Sequence, residues 1–260
     1  MLKPGMSELS PRATKMLTRW KGPADPTLAA PALKILLAEK NVPNLGAFLD
    51  FESRYSGRRY APFGDTAERR LGIAQYWREG DKRPQVHVQK TEAGPWIAQC
   101  LRLGSKPERP VCLHEDSRLC DAGLKLPAIG EPHPFANSIE QFLEWDAVVD
   151  EIEELDGSWH TVRAQGPDGL ARSLAEKFSI APVPLATGID LAAWADTRVR
   201  VRFSKTHRLF EPRPIVVEVY AASRALADEI AHAMGDLIGR APAVAPWPAP
   251  GFARVERVRP

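Results

Sequence analysis

The stretch of sequence that decides the fold of the first half of the chain is Phe48-Leu49-Asp50-Phe51-Glu52-Ser53-Arg54-Tyr55-Ser56-Gly57. Its apolar residues recur with the period of a helix, and so do the leucines that precede Pro43. Asn44 is expected to cap the later helix, and Gly57, which tolerates a positive φ, is expected to end it. The two predicted helices cover residues 30–41 and 44–56.

Beyond Arg70 the pattern changes to short apolar runs that are separated by turn residues. Strands joined by such short connections are antiparallel neighbours. We therefore predict a meander of four to six strands. The clearest strands are Leu71–Arg78, Gln85–Thr91, Trp96–Leu103 and Pro110–His114.

A further helix is predicted to close this first domain. It begins in Phe135-Ala136-Asn137-Ser138-Ile139-Glu140-Gln141-Phe142-Leu143, where Ser138 and Gln141 have the spacing of a capping box. The helical stripe continues to near Leu155. We predict a lead-in over residues 1–27 and an α+β domain over residues 28–156.

The remaining residues, 157–260, are predicted to form a small second domain with the ferredoxin-like element order β-α-β-β-α-β. Trp247 lies in the proline-rich segment 242–250, which has no core of its own, so we expect it to pin the tail onto the body of the protein. The predicted strands are Ser158–Ala164, Arg198–Phe203, Ile215–Tyr220 and Phe252–Val258, and the predicted helices are Asp168–Phe178 and Arg224–Ile238.

The segments 48–57 and 135–143 resemble the two hallmark phrases of the SUKH superfamily, which contains bacterial toxin-immunity proteins and yeast cell-wall synthesis regulators. The resemblance covers about residues 28–155 and departs from the usual pattern in having the single Gly57. It implies an antiparallel sheet with flanking helices and a non-enzymatic binder that occludes a cognate toxin. It implies no catalytic residues, and nothing after residue 157 is covered by it.

The overall charge is close to balanced, with 35 Lys and Arg against 33 Asp and Glu and a formal charge of +2. This balance argues against direct nucleic-acid binding and against an anionic membrane surface as partner. The three cysteines show no disulfide or zinc pattern, and no apolar run is long enough for a signal peptide or a membrane span. We therefore expect a cytoplasmic protein.

The negative charge is concentrated in one segment. Between Glu131 and His160 there are nine acidic residues and no Lys or Arg, whereas residues 161–260 hold 14 basic and 10 acidic residues. Two interpretations are open. The acids form a surface for a basic toxin, such as a nuclease, or they are solvated or neutralised within the chain by the basic C-terminal half. The acidic residues predicted as partner contacts are Glu144, Asp150, Glu151, Glu153 and Glu154.

A second candidate patch is basic and aromatic. Arg58, Arg59 and Tyr60 follow the helix that contains Arg54 and Tyr55, and Arg and Tyr are enriched in interface hot spots. The alternative is that these cations compensate a helix C-terminus and that the tyrosines lie in the core. The patch is kept as a weaker candidate.

No motif points to catalysis. Cys112, His114 and Cys120 are the densest group of potential metal ligands, but their spacing matches no common zinc site. The chain lacks phosphate-binding and nucleophile-elbow motifs.

The resemblance to SUKH proteins, together with the acidic segment, implies an immunity protein of a polymorphic toxin system, such as type VI secretion, without cofactor, metal or catalytic activity. The alternatives are a regulatory scaffold that binds several partners and, less favoured, an enzyme with an unrecognised site.

Overall fold

The structure of the protein is a computed structural model, which describes residues 9–19, 30–61, 68–75, 85–91, 94–103, 111–121, 133–154, 158–167, 169–205 and 215–247. Among these, the residues within Leu17–Ala61 and Ala67–Ile139 form a compact first unit. Those within Met1–Met16 and Glu140–Pro260 form a second unit. The sequence places a boundary at residue 157 instead, which would separate the acidic helix from the C-terminal sheet.

The described chain begins with helix α1 (Pro11–Thr18), whose residues up to Met16 belong to the second unit. The first unit continues with α2 (Ala30–Glu39) and α3 (Gly46–Tyr55), which contact each other and confirm the two predicted helices. Leu45, and not Asn44, is the N-cap of α3, although the side chain of Asn44 does accept a hydrogen bond from the N–H of Gly46 at 3.3 Å. Gly57 has a φ of 74° and follows the helix, as predicted.

Antiparallel strands form the rest of the first unit. Seven of them make one sheet in the order β1-β2-β6-β7-β8-β9, with β5 also paired to β6, and β3 pairs with β4 separately. These strands are β1 (Arg59–Tyr60), β2 (Arg69–Leu71), β3 (Ala74–Gln75), β4 (Gln85–Val86), β5 (Val88–Lys90), β6 (Trp96–Leu103), β7 (Val111–His114), β8 (Leu119–Asp121) and β9 (His133–Ala136).

The predicted limits of the strands agree with the observed limits to different degrees. β6 has the predicted limits, because its length and alternation make a strong local signal. The predicted strand Leu71–Arg78 is instead interrupted at Gly72, whose φ of 147° breaks the pleat, and its last residues lie outside the described ones. The predicted strand Gln85–Thr91 is divided at His87 into β4 and β5.

The second unit contains α4 (Ile139–Asp150) from Glu140 onward, a 3-10 turn (Glu151–Glu154) and a five-stranded antiparallel sheet. The sheet has the order β11-β12-β13-β10-β14, and α5 and α6 pack on one of its faces around a valine-rich core. The elements are β10 (His160–Gly166), α5 (Leu170–Lys177), β11 (Leu191–Ala195), β12 (Val199–Lys205), β13 (Ile215–Ala221), α6 (Arg224–Ile238) and β14 (Val244–Pro246).

Two features of this sheet were not predicted. β11 is an alanine-rich edge strand without intrinsic β-propensity, and its ladder with β12 holds it in the sheet. β14 lies within the proline-rich segment, where Pro246 is tolerated because it is on an edge strand. The predicted strand Phe252–Val258 lies outside the described residues.

Trp247, which directly follows β14, contacts the body of the second unit, as predicted. Its backbone N–H donates to the carbonyl oxygen of Trp159 at 2.7 Å, and its ring lies edge-on to that of Tyr220 at 4.8 Å between centroids.

Candidate protein-binding surface

The acidic segment of the sequence corresponds to α4 and the 3-10 turn after it. The four carboxylates of α4 are buried, with exposed fractions of 7% for Glu140, 1% for Glu144, 0% for Asp146 and 2% for Asp150. A buried carboxylate is costly unless it is hydrogen-bonded or paired with a cation. The charge of this helix is therefore withdrawn from solvent, and intramolecular partners must compensate it.

Glu144 binds the N-terminus of α1. Its two carboxylate oxygens accept hydrogen bonds from the backbone N–H and the hydroxyl of Ser10, both at 2.6 Å. Ser10 immediately precedes α1, and its hydroxyl oxygen accepts from the N–H of Ala13 at 3.4 Å. A helix N-terminus carries unsatisfied N–H groups and a partial positive charge, so a carboxylate is stabilised there. Glu144 thus attaches α1 to the second unit.

Asp146 belongs to a cluster around Arg202 of β12. The guanidinium of Arg202 lies 3.8 Å from Oδ1 of Asp146 and 2.7 Å from Oε2 of Glu218. The same guanidinium donates to the hydroxyl of Tyr220 at 3.1 Å. Arg202, Glu218 and Tyr220 alternate along their strands with core residues, so they lie on the sheet face opposite to α5 and α6.

Trp145 of α4 covers this guanidinium. The Cζ atom of Arg202 is 4.1 Å from the Trp145 ring centroid, and the indole N–H donates to the carbonyl oxygen of Phe203 at 3.0 Å. Burial alone would raise the pKa of Glu218, but the adjacent Arg202 charge outweighs it and the pKa is lowered. Burial also raises the pKa of Tyr220, so its phenol stays protonated. The result is a closed ionic cluster that attaches α4 to the sheet.

Glu151 is shared between two arginines. Its Oε2 atom lies 3.5 Å from Nη1 of Arg12 in α1 and 3.3 Å from Nη2 of Arg200 in β12. Burial lowers the pKa of Arg200, and the charge of Glu151 opposes that shift. This pairing compensates a cation that is 6% exposed.

The structure therefore supports the intramolecular interpretation of the acidic segment. Glu144 and Glu151 have partners within the second unit, and Asp150 is buried, so three of the five predicted acidic contacts are engaged or withdrawn from solvent. The side chains of Glu153 and Glu154 lie outside the described residues, and their role stays a prediction.

The predicted basic patch is assembled on two paired strands of the first unit. Antiparallel pairing of β1 and β2 places Arg59 opposite Arg70 and Tyr60 opposite Arg69. Arg58 directly precedes β1 and is exposed. We call Arg58, Arg59, Arg69 and Arg70 the arginine ribbon. β1 is the terminal strand of the described sheet, so the ribbon lies along a sheet edge.

The immediate contacts of the ribbon include one carboxylate. Glu68 lies 3.2 Å from Nη1 of Arg59 and 3.4 Å from Nη2 of Arg70. Arg58 donates through Nε to the carbonyl oxygen of Arg54 at 3.1 Å. Arg59 and Arg70 therefore share this carboxylate, and Arg58 presents its guanidinium at the exposed end of the ribbon.

Tyr60 supports the ribbon from the inside. It is 1% exposed, and the Cζ atom of Arg69 lies 5.8 Å from its ring centroid. The sequence predicted Tyr60 as a partner contact, but its burial gives it a supporting position instead, in agreement with the core alternative.

Glu52 holds the ribbon in place, and sequence analysis missed it. This buried residue of α3 accepts hydrogen bonds from the hydroxyl of Ser56 and the N–H of Ile73, both at 2.6 Å, and also from the N–H of Ala74. Burial raises the pKa of Glu52, while these donors lower it. The sequence signal that could have identified Glu52 is the presence of an acidic residue on the apolar face of a helix. Glu52 links the end of α3, which leads into β1, to the chain that leaves β2, and so holds one end of the strand pair.

The cysteines lie in the strand core of the first unit. Cys112 faces Cys120 across β7 and β8, and all three cysteines are buried and form no disulfide. His114 instead pairs with Asp116 at 2.7 Å in the turn between these strands. No three His, Cys, Asp or Glu side chains of the described residues come together as a metal site.

Within the described residues, no helix combines the length and the apolar character needed to cross a bilayer. Comparisons of the chain with protein-family models, with curated proteins and with solved structures gave no match.

Proposed function

We propose that this protein is an immunity protein that binds a cognate bacterial toxin and occludes its active site. The arginine ribbon carries the proposal, because it places four arginines on a partly exposed sheet edge that is supported by a buried tyrosine and by Glu52. The resemblance of residues 48–57 and 135–143 to SUKH proteins agrees with this role.

The ribbon suggests a partner with an acidic surface. Arginines bind carboxylates in a bidentate manner and are enriched in hot spots, and complementary charge accelerates association. The expectation of a basic nuclease depended on the acidic segment. Since Glu144 and Glu151 are engaged within the chain, a partner that is acidic at its contact surface is the better proposal.

We also propose a specific fold for each of the two units. We propose a SUKH-like arrangement for the first unit and a ferredoxin-like arrangement for the second. In the second unit, the order β12-β13-β10-β14 with α5 and α6 on one face supports the proposal, and β11 is an added edge strand. We also propose a cytoplasmic location and a polymorphic toxin system, such as type VI secretion.

The test is co-expression of the full chain with the product of its neighbouring gene, followed by affinity capture and a growth assay. The wild-type protein should form a stoichiometric, salt-sensitive complex and restore growth. The variant Arg58→Ala/Arg70→Ala should weaken the complex at least tenfold. The matched control, Arg172→Ala/Arg198→Ala, removes two exposed arginines of the second unit and should leave binding unchanged.

Other outcomes would contradict the proposal. Several weak partners that the ribbon variant does not affect would favour the regulatory scaffold. Binding of a random-sequence oligonucleotide that is lost in the ribbon variant would assign the surface to nucleic acid. Turnover of a toxin-derived substrate by the purified chain would favour an enzyme.

A further inference from the structure

The sheet of the second unit has an opening beside β10. On one side β10 pairs with β13 along its whole length, from His160 to Gly166. On the other side β14 pairs with three residues, His160 to Val162. In the described part of the chain, the last four residues of β10 therefore have a strand neighbour on one side, and residues 240–243 run past them without strand pairing.

The backbone groups at this opening can be assigned from the register. Trp159 accepts a hydrogen bond from the N–H of Trp247, so residue 159 directs its backbone groups towards the β14 side. In an antiparallel sheet this direction alternates between residues. Arg163 and Gln165 therefore direct their N–H and C=O groups into the opening, where the β14 ladder has already ended.

The reason for the opening lies in the chain after α6. Gly235 approaches Ala241 so closely that a Cβ atom at Gly235 would be 2.9 Å from the Ala241 backbone. The chain is thus drawn against α6 and away from β10. The close contact between Gly235 and Ala241 therefore accounts for the end of the β14 ladder at Val244.

A cavity of about 750 Å³ that is open to solvent lies at this opening, and its volume is within the roughly 300–1,000 Å³ of ordinary ligand sites. Arg163 and Gln165 lie on one side, and Arg240 and Ala243 on the other, with Ile238 among the apolar residues. The side chain of Arg163 is 68% exposed and Arg240 is also exposed. The described acidic group paired with Arg163 is Glu218 at 3.6 Å, which also pairs with Arg202. The cavity is therefore cationic at its rim.

We propose that this opening binds an extended acidic peptide segment of a partner protein, which adds to β10 as a short strand. Backbone N–H and C=O groups of Arg163 and Gln165 would pair with the peptide, as in other cases of strand addition. The charge at the rim selects acidic side chains. The final residues of this chain, 254–260, carry three arginines and one glutamate, so their charge does not match the site.

The alternation of β10 also defines the peptide pattern. The side chains of Arg163 and Gln165 lie on one face of the sheet, and that of Ala164 lies on the core face. A bound strand should therefore place acidic residues beside Arg163 and aliphatic residues on the core side, near Ile238. The expected motif alternates acidic and β-branched residues. This inference goes beyond the proposed function and does not depend on the arginine ribbon.

The test is a fluorescence-polarisation titration of the full chain with the labelled hexapeptide Glu-Val-Glu-Val-Glu-Val. We expect saturable binding that weakens with salt, and at least tenfold weaker binding of Lys-Val-Lys-Val-Lys-Val. A version of the acidic peptide with N-methyl groups on alternate amides, in both possible registers, should include one register with at least tenfold weaker binding.

The variant Arg163→Gln/Arg240→Gln should also weaken binding at least tenfold, whereas Arg172→Gln/Arg198→Gln should bind like the wild type. Thermal melting of each variant shows that it is folded. The proposal is overturned if the acidic peptide does not bind, or if binding withstands both N-methylated registers. It is equally overturned if the variant and its control behave alike.

Discussion

Helix α4 and the arginine ribbon both contain a dense group of like charges in the sequence, yet the charges of α4 are buried and those of the ribbon are partly exposed. The carboxylates of α4 are at most 7% exposed, and those of Glu144 and Asp146 contact residues far away in the chain. In the ribbon, Arg58 is exposed, and Arg59 and Arg70 share Glu68. Charge density therefore marks an internal ionic cluster in one region and a candidate binding surface in the other.

Because of this difference, we expect the α4 cluster to contribute to stability and the arginine ribbon to contribute to binding. Buried charges depend on their partners, because removal of one leaves the other desolvated and unpaired. Exposed charges in salt-screened solvent contribute little to stability. Substitutions in the α4 cluster should therefore change the free energy of unfolding, and substitutions in the ribbon should change association.

The largest effect is expected for Arg202→Leu. This change leaves Asp146, which is 0% exposed, and Glu218 without their shared cation. Breaking a buried pair costs about 3–5 kcal/mol. Urea denaturation should show this loss, while Arg172→Leu at an exposed position should stay within about 0.5 kcal/mol of wild type. A loss below about 1 kcal/mol for Arg202→Leu would mean that the cluster is not a unit of stability.

Glu52→Ala is expected to have the next largest effect. It removes the acceptor of two buried backbone N–H groups, at Ile73 and Ala74, and each unsatisfied group costs about 1–3 kcal/mol. Glu52→Gln is the matched control, since its carbonyl oxygen can still accept and its amide can donate to Ser56. Equal stabilities of the two variants in chemical denaturation would contradict this role.

Comparison of the wild type with Glu52→Gln also gives a prediction for the pH dependence of stability. Burial raises the folded-state pKa of Glu52 above the ordinary glutamate value of 4.5, so the native state holds its proton more tightly than the unfolded chain. The contribution of Glu52 to stability is therefore greatest below pH 4.5 and is lost as the pH rises through the folded pKa. Unfolding free energies measured at several pH values should show that the wild type loses stability relative to Glu52→Gln as the pH rises from 4.5 through the folded-state pKa. A constant difference would refute the shift.

Ser10→Ala should have a smaller effect of about 1 kcal/mol, because it removes a helix cap and one of the two hydrogen bonds to Glu144. Ser173→Ala, at an exposed position of α5, serves as the comparison. Hydrogen exchange of the first turn of α1 should increase in Ser10→Ala. Unchanged exchange and stability would show that Glu144 does not depend on this hydroxyl.

The smallest change in stability is expected for the ribbon variant Arg58→Ala/Arg70→Ala, within about 0.5 kcal/mol of wild type. Its effect should be on partner association, and it should diminish at high salt as the charges are screened. A large loss of stability would remove the contrast with α4 and show that the ribbon is a structural ion cluster.

Sequence patterns predicted the elements with strong local signals. Helices α2, α3 and α6 and strand β6 follow from apolar periodicity, and the positive φ of Gly57 follows from its residue type. Strand β11 was missed because alanines carry no strand signal, and β14 was missed because prolines usually mark loops. Both strands depend on a neighbouring strand, which local propensity does not describe.

The candidate surface was predicted in composition but not in arrangement. Arg58, Arg59 and Tyr60 were selected by residue type, whereas their neighbours Arg69 and Arg70 reach them through the β1–β2 register. The burial of Tyr60 and the anchoring role of Glu52 follow from packing between residues far apart in the chain. Residue type alone cannot separate a surface tyrosine from a supporting one.

The sequence by itself determined which segments are helical or extended and how much charge each segment carries, because these properties follow from residue type and local periodicity. Only the tertiary structure decided which charges are paired inside the protein and which remain at its surface. Arg202 reaches Asp146 across 56 residues of chain, and Ser10 reaches Glu144 across 134. Such partners are chosen by strand register and packing, because burial makes an unpaired charge too costly to keep.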